Sequence, residues 1–186
     1  PGSGKTTVLT LKIMKLLNEK IKYPRGLACL TYNREAVKEF TNRLYELGYV
    51  KRSNVFLGTV HAFCIAEVIS PFVHLYDYDI PMPLKIVSEK EKNKLFNDIV
   101  TQLNYDPEII KVLDMDKERT LSIDGISSVT VEPYDIALKV AKEYEKRLHA
   151  MGMVDFIDIV KYATLLIQKE EYVRKCLEAK FPWILI

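Results

Sequence analysis

Little in this sequence points to a membrane, an oxidising compartment or a structural metal. Cysteine is scarce: Cys29, Cys64 and Cys176 are scattered and odd in number among 186 residues. That argues against a disulfide framework and against metal-ligand spacing, and it points to a reduced, cytosolic setting. No apolar run approaches the roughly 20 residues that span a bilayer, and no signal-peptide pattern opens the chain. Charge of one sign is also lacking, since 27 basic and 25 acidic residues leave a net charge of +2. Composition alone therefore does not announce nucleic acid, although a summed charge hides local patches. Internal repeats and low-complexity tracts are absent.

What is present supports a folded core. Apolar residues make up 48% and charged residues 28%, enough for one domain or one domain with a small insert. The chain opens on P-G-S-G-K-T-T, followed by apolar residues at helical spacing, Val8, Leu11, Ile13, Leu16 and Leu17. This is the end of the phosphate-binding pattern G-x-x-x-x-G-K-[ST], whose leading glycine would fall two residues before Pro1. Gly2 and Gly4 let the backbone curl so that N–H groups face phosphate oxygens, and the helix beginning near Lys5 adds its positive dipole end. In that reading Gly2, Ser3, Gly4, Lys5, Thr6 and Thr7 line the phosphates. Lys5 reaches the β- and γ-phosphates of a nucleoside triphosphate, and the Thr6 hydroxyl binds Mg²⁺. The alternative is a glycine-rich turn before a helix.

The alternation continues. "LACLTY" is a continuous apolar run that suits a buried parallel strand, "NREAVKEFTNRLYELG" is an amphipathic helix stopped at Gly48, and "NVFLGTV" is a further strand. Loop, helix, strand, helix, strand implies a parallel sheet with crossover helices. From about Ile69 to Tyr78 the composition shifts to proline, tyrosine and mixed charge. Beyond it come helix patterns: "SEKEKNKLFNDIVTQL" with a capping box from Ser88 to Glu91, "DPEIIKVL", and "EPYDIALKVAKEYEKRLHAMG". "DFIDIVKYATLLIQKEEYVRKCLEAK" reads as one helix or two, and "FPWILI" as a strand.

In an open parallel sheet, ligands bind outside the carboxyl ends of the strands. Two segments fall there. One holds Thr31, Tyr32 and Asn33; the other holds Thr59, His61 and Phe63. Each combines a hydroxyl, a polar group and an aromatic ring, the groups that hold a nucleic-acid strand through phosphate hydrogen bonds and base stacking. Taken singly, each has a structural alternative: Phe63 suits a core and His61 a helix cap.

P-G-S-G-K-T-T, L-T-Y-N-R-E-A-V-K-E-F and G-T-V-H-A-F-C, in this order and spacing, resemble the UvrD/Rep family of superfamily 1 DNA helicases. "MVDFIDIVKYA" is similar to the family's D-F-D-D-L-L stretch, with Asp155, Phe156 and Asp158 matching and Ile157 in place of an acid. The resemblance implies an α/β fold: a RecA-like P-loop NTPase parallel sheet with helices on both faces, plus a mostly helical inserted subdomain. It implies subdomain 1A over 1–65, a helical 1B insert over 66–149, and a return to 1A over 150–186. It further implies ATP and Mg²⁺ as cofactors, and single-stranded DNA gripped by Thr31, Tyr32, Asn33, Thr59, His61 and Phe63. Duplex DNA and other repair or recombination proteins would be partners, with movement usually 3′ to 5′.

The family's acidic D-E-x-Q-D motif follows a hydrophobic strand such as "FPWILI", so the chain is expected to be an N-terminal fragment that does not itself hydrolyse ATP at a useful rate. Rival readings are a helicase subunit of a RecB/AddA-type helicase–nuclease, a P-loop NTP-binding module without strand separation, and a scaffold that only binds DNA. Elsewhere, Asp77, Asp79, Asp114 and Asp116 read as solvated loop acids, His74 and His149 as isolated, and Trp183 as core. Lys139, Lys142, Lys146 and Arg147 read as a solvated, salt-bridged helix face with a basic face for duplex DNA as the alternative.

Overall fold

A computed structural model describes residues 5–124 and 135–186. The chain divides into two compact units, one comprising residues up to His74 together with Leu166–Ile186, the other Leu75–Leu165.

The first unit is built on a three-stranded parallel sheet. Strand β1, Leu27–Thr31, is central, with β2, Val55–Thr59, on one side and β3, Trp183–Leu185, on the other. The continuous apolar run places Leu27, Ala28, Cys29 and Leu30 out of solvent, as a strand covered on both faces requires. Helix α1, Lys5–Glu19, packs Ile13, Leu16 and Leu17 onto Leu27 and Cys29 of β1 and onto Phe40 and Leu44 of α2, Arg34–Glu46. Each such burial stabilises by about 1.5–3 kcal/mol. Val8 and Leu11, counted by periodicity with the apolar face, are instead exposed.

The turns are set by sequence. Asn33 caps α2, its side chain accepting from the Ala36 N–H at 2.7 Å. Gly48 closes the same helix in the left-handed region, with φ at 84°, which costs glycine nothing. Gly26 sits where three segments meet: its N–H donates to the Lys180 carbonyl at 2.7 Å, and a Cβ there would lie 1.7 Å from the Asn54 carbonyl oxygen. Only glycine fits that approach.

After β2 the chain turns straight into helix. α3, Val60–Phe63, runs into a π-helical stretch over Cys64–Ile69, then α4, Ser70–Phe72, and a 3₁₀ turn at Val73–Leu75. Glu67 in the π stretch pairs with Lys180 in the last turn of α9, Glu171–Lys180. Trp183 departs from expectation. It is 38% exposed because β3 is an edge strand whose paired neighbour, among the described residues, lies on one side only.

The second unit is helical, with α5, Glu89–Gln102; α6, Val112–Asp124; α7, Asp135–Ala150; and most of α8, Phe156–Lys169, whose residues from Leu166 on belong to the first unit. Its core joins Phe96, Ile99 and Val100 to Met115 and to Val140, Tyr144 and Leu148. The Ser88 capping box forms as predicted, with the Glu91 N–H donating to Ser88 Oγ at 3.3 Å and the Ser88 N–H donating to Glu91 Oε2 at 3.0 Å. "DPEIIKVL" does not form a helix. Residues 107–109 are a turn, and helix begins only at Val112. Asp106 explains the difference, because its side chain accepts from the Glu108 N–H at 2.9 Å and so favours a turn over helix. No helix among the described residues is long and apolar enough to cross a membrane.

Candidate nucleotide and nucleic-acid interface

The two sequence motifs meet at one edge. β1 and β2 are parallel, and Thr31 is the register partner of Thr59 at their carboxyl ends. The segments Thr31–Asn33 and Thr59–Phe63 therefore leave the sheet side by side. A short connection returns the chain from the end of α1 to the start of β1. Arg52, just ahead of β2, reaches the Leu17 carbonyl in the last turns of α1 at 3.0 Å. The first turn of α1 thus opens toward the side where β1 and β2 end, the side that binds ligands in open parallel sheets.

The individual side chains are placed differently. Thr31, Asn33 and Thr59 shape the backbone: Thr31 Oγ1 donates to the Asn33 carbonyl at 2.9 Å, and Thr59 Oγ1 accepts from the Ala62 N–H at 3.2 Å as the cap of α3. Tyr32 is 84% exposed and offers a ring face to solvent at this edge. His61 is half-buried, and burial holds its pKa below the ordinary histidine value, which favours a neutral imidazole. Phe63 is placed otherwise. It is buried against Phe56 and Phe181 at centroid distances of 5.3 and 5.6 Å, and presents no face to a base. Of the phosphate-loop residues, Gly2, Ser3 and Gly4 lie outside the described residues, and so do the side chains of Lys5 and Thr6. Thr7 is exposed and accepts from Arg43 at 3.4 Å.

The D-F-x-D stretch lies in the second unit and acts as a clamp. Asp155 caps α8, its Oδ1 accepting from the N–H groups of Ile157 and Asp158, each at 3.0 Å. Asp158 Oδ2 answers by accepting from the Asp155 N–H at 3.3 Å. This is the reciprocal logic of a capping box with aspartates in both places. The two carboxylates also hold a residue that sequence reasoning missed, Arg119 on α6, whose side chain is 1% exposed. It donates to Asp155 through Nη1 and Nη2, to Asp158 Oδ1 at 2.7 Å and to Glu145 at 3.2 Å, and its guanidinium lies 4.9 Å from the Tyr144 ring centroid.

Asp116 is likewise not a solvated loop acid. It sits on α6 and accepts from the buried ammonium of Lys92 at 2.7 Å, while burial pushes its pKa up. Burial also raises the Asp155 carboxyl, but the hydrogen bond and charge of Arg119 outweigh this and leave it below its usual value. Among the described residues no cluster of three or more His, Cys, Asp or Glu could hold a metal ion.

His149 is not isolated. Its Nε2 lies 3.3 Å from Asp158 Oδ2, and that hydrogen bond holds its pKa above the ordinary 6.5. A raised folded pKa means stability that is fully present below the unfolded value and is lost as pH rises through the folded one. His61, with a lowered pKa, works in the opposite sense. The difference between wild type and His149→Gln is therefore the measure. Thermal melts between about pH 6 and pH 8 are expected to show the wild type's advantage shrinking as pH rises. A constant difference would remove the His149–Asp158 pair as its source.

Comparison with known proteins agrees with these motifs. A profile of the UvrD/REP helicase N-terminal domain matches residues 1–186. DNA helicase II of Rickettsia typhi is 25% identical over 100% of this chain and 29% of its own length. The ATP-dependent DNA helicase PcrA of Bacillus subtilis is 23% identical, with 98% of this chain and 25% of the relative covered. The ATP-dependent DNA helicase SRS2 of Saccharomyces cerevisiae is 30% identical over 55% of this chain and 9% of its own. The chain thus spans under a third of the length of these curated relatives.

Proposed function

The chain belongs to the UvrD/REP helicase family, and from that membership we propose that it supplies the ATP- and single-strand-binding part of an ATP-dependent DNA helicase or translocase moving 3′ to 5′. The observation that carries the proposal is the register pairing of Thr31 with Thr59. It sets both motif segments at one edge, toward which the first turn of α1 opens. A strand laid across that edge would meet the exposed Tyr32 ring and the polar backbone of two helix N-termini.

In this reading residues 1–65 and 150–186 form a RecA-like subdomain 1A and residues 66–149 its 1B insert. The loop Gly2–Gly4 cradles the triphosphate, Lys5 neutralises its β- and γ-phosphates, and the Thr6 hydroxyl holds Mg²⁺, which offsets charge on the phosphate oxygens. The chemistry suits that ion: Thr6, next to Lys5 in sequence and in the first turn of α1, is a hard oxygen donor that would hold it. Single-stranded and duplex DNA are the partners, which places the protein in the cytosol or nucleoid.

Lys5→Ala is the test. Equilibrium dialysis of the chain with labelled ATP and Mg²⁺ is expected to show binding by wild type and none by the variant. In the full-length protein, ATP turnover stimulated by single-stranded DNA is expected to vanish with the same change. Retained affinity in Lys5→Ala, or no stimulation by DNA in the wild type, overturns the reading.

A further inference from the structure

The amino ends of the three strands make the edge of the sheet opposite Thr31 and Thr59, with Leu27 in register with Val55 and Trp183. Tyr23 and Pro24 lead into β1, Asn54 into β2, and Cys176, Ala179 and Lys180 of α9 into β3. These residues line one cleft of about 480 Å³, wholly within the first unit. Hydrogen bonds tie its walls together. Asn54 Nδ2 donates to the Arg25 carbonyl at 2.5 Å, the Leu27 N–H to the Asn54 carbonyl at 3.2 Å and the Gly26 N–H to the Lys180 carbonyl at 2.7 Å. A cleft fixed in this way has little conformational freedom left to lose when a ligand enters.

The turns beside the cleft carry charge of one sign. Residues 20–26 and 50–55 hold Lys20, Lys22, Arg25, Lys51 and Arg52, all exposed, and no acid. Arg52 is engaged with α1 through the Leu17 carbonyl, and Lys180 is paired with Glu67. Lys20, Lys22, Arg25 and Lys51 form no ion pair with another described residue. The neighbouring acids in sequence are Glu19, 4.0 Å from Lys15, and the exposed Glu178 of α9. The lining is apolar by contrast: the Tyr23 ring, 79% exposed, with Pro24, Ala179 and the half-buried Cys176. Unpaired cations around an apolar hollow match a ligand that is anionic along its length and apolar at one point. A nucleic-acid strand presents a phosphate at every step and needs cations along a track; here they flank a single hollow.

We propose that this cleft docks an acidic segment of a partner protein, with one aromatic side chain seated against Tyr23, Pro24 and Ala179 and carboxylates on either side of it facing Lys22, Arg25 and Lys51. The aromatic anchor supplies most of the affinity, and the exposed charges supply encounter rate and choice of partner. Because the cleft lies at the amino ends of the strands, a docked segment leaves the Thr31–Thr59 edge uncovered. The proposal stands apart from the proposed function: it needs neither ATP nor a DNA strand.

The probe is a fluorescein-labelled peptide of glutamates around one central tryptophan, followed by fluorescence anisotropy with the purified chain. Saturable binding is expected, weakening as salt is added. Lys22→Glu/Arg25→Glu/Lys51→Glu is expected to weaken it about ten- to hundredfold, the scale of three exposed ion pairs lost and reversed. Lys90→Glu/Lys94→Glu/Lys146→Glu, an equal change of charge on exposed lysines of the second unit, is expected to leave it unchanged. Tyr23→Ala is expected to weaken binding with no change in melting temperature, and exchange of the peptide's tryptophan for glycine to remove most of it. Cys176 reports locally: bound peptide is expected to slow its alkylation by iodoacetamide several-fold, read at that residue by mass spectrometry. No binding, equal loss in both triple variants, indifference to the tryptophan or an unprotected Cys176 each overturn the proposal. So does protection of Cys176 by a single-stranded oligonucleotide or by inorganic phosphate but not by the peptide, which assigns the cleft to nucleic acid or to a free anion.

Discussion

Arg119→Ala is expected to lower the unfolding free energy of the chain by about 3–5 kcal/mol, the range for removing one partner of a buried ion pair. The guanidinium is the shared partner of Asp155, Asp158 and Glu145, and Asp155 and Asp158 are themselves buried. Truncation leaves Asp155 and Asp158 in a low-dielectric interior with little beyond Lys92, 3.6 Å from Asp155, and His149 to offset them, while Glu145 keeps Lys161. Urea titration checks the magnitude, with the midpoint falling and the m-value steady. A loss below about 1 kcal/mol, the usual worth of an exposed pair, would mean that the cluster is not the hub described.

The sign of the pH response gives a second readout. In the wild type Asp155 has a depressed pKa, so its contribution is present above the ordinary 3.8 and is lost as pH falls through the folded value. Without Arg119 the buried carboxyls bind protons more readily folded than unfolded. The variant's deficit relative to the wild type should therefore shrink as pH falls from neutrality. The parallel substitution Asp158→Asn should be strongly non-additive with Arg119→Ala, since both remove one interaction.

Phe63→Ala and Tyr32→Ala are expected to fail in opposite ways. Phe63 packs edge-on against Phe56 and also against Phe181, and is 6% exposed. Its truncation should cost about 3–5 kcal/mol of stability while leaving strand affinity intact under conditions where the variant is folded. Phe63→Leu keeps most of the volume and allows the affinity to be measured if the alanine variant unfolds. Tyr32, 84% exposed, should cost almost no stability. Its loss should weaken single-strand binding by about 1–3 kcal/mol, roughly five- to 150-fold, the worth of one stacked base. Weakened binding in Phe63→Leu at unchanged stability would return that ring to the interface.

The family motifs on either side of these residues look alike in sequence, yet one aromatic is solvent-facing and the other is core. Tyr32 follows the last residue of β1 and leaves the sheet before Asn33 caps α2. Phe63 comes four residues beyond Thr59, after a full turn of α3 has swung it back toward β2. Spacing from the strand end, not residue type, separates them.

Local signals were legible in the sequence because the physics behind them is local. The buried run of β1, the helix stop at Gly48, the Ser88–Glu91 box and the alternation of helix with strand each depend on residues within a few positions of one another. The pairing of Thr31 with Thr59 follows from two parallel strands of equal length, and so was within reach. The Arg119 clamp was not: it joins positions 36 and 39 residues apart in sequence, and its helix hides behind a stretch whose Asp106 favours a turn. Only tertiary packing could show that Asp116 is half-buried beside Lys92, that Trp183 lies on an edge and that Phe63 faces inward. Burial is decided by what packs against a residue, and that partner is named by the fold rather than by its neighbours in the chain.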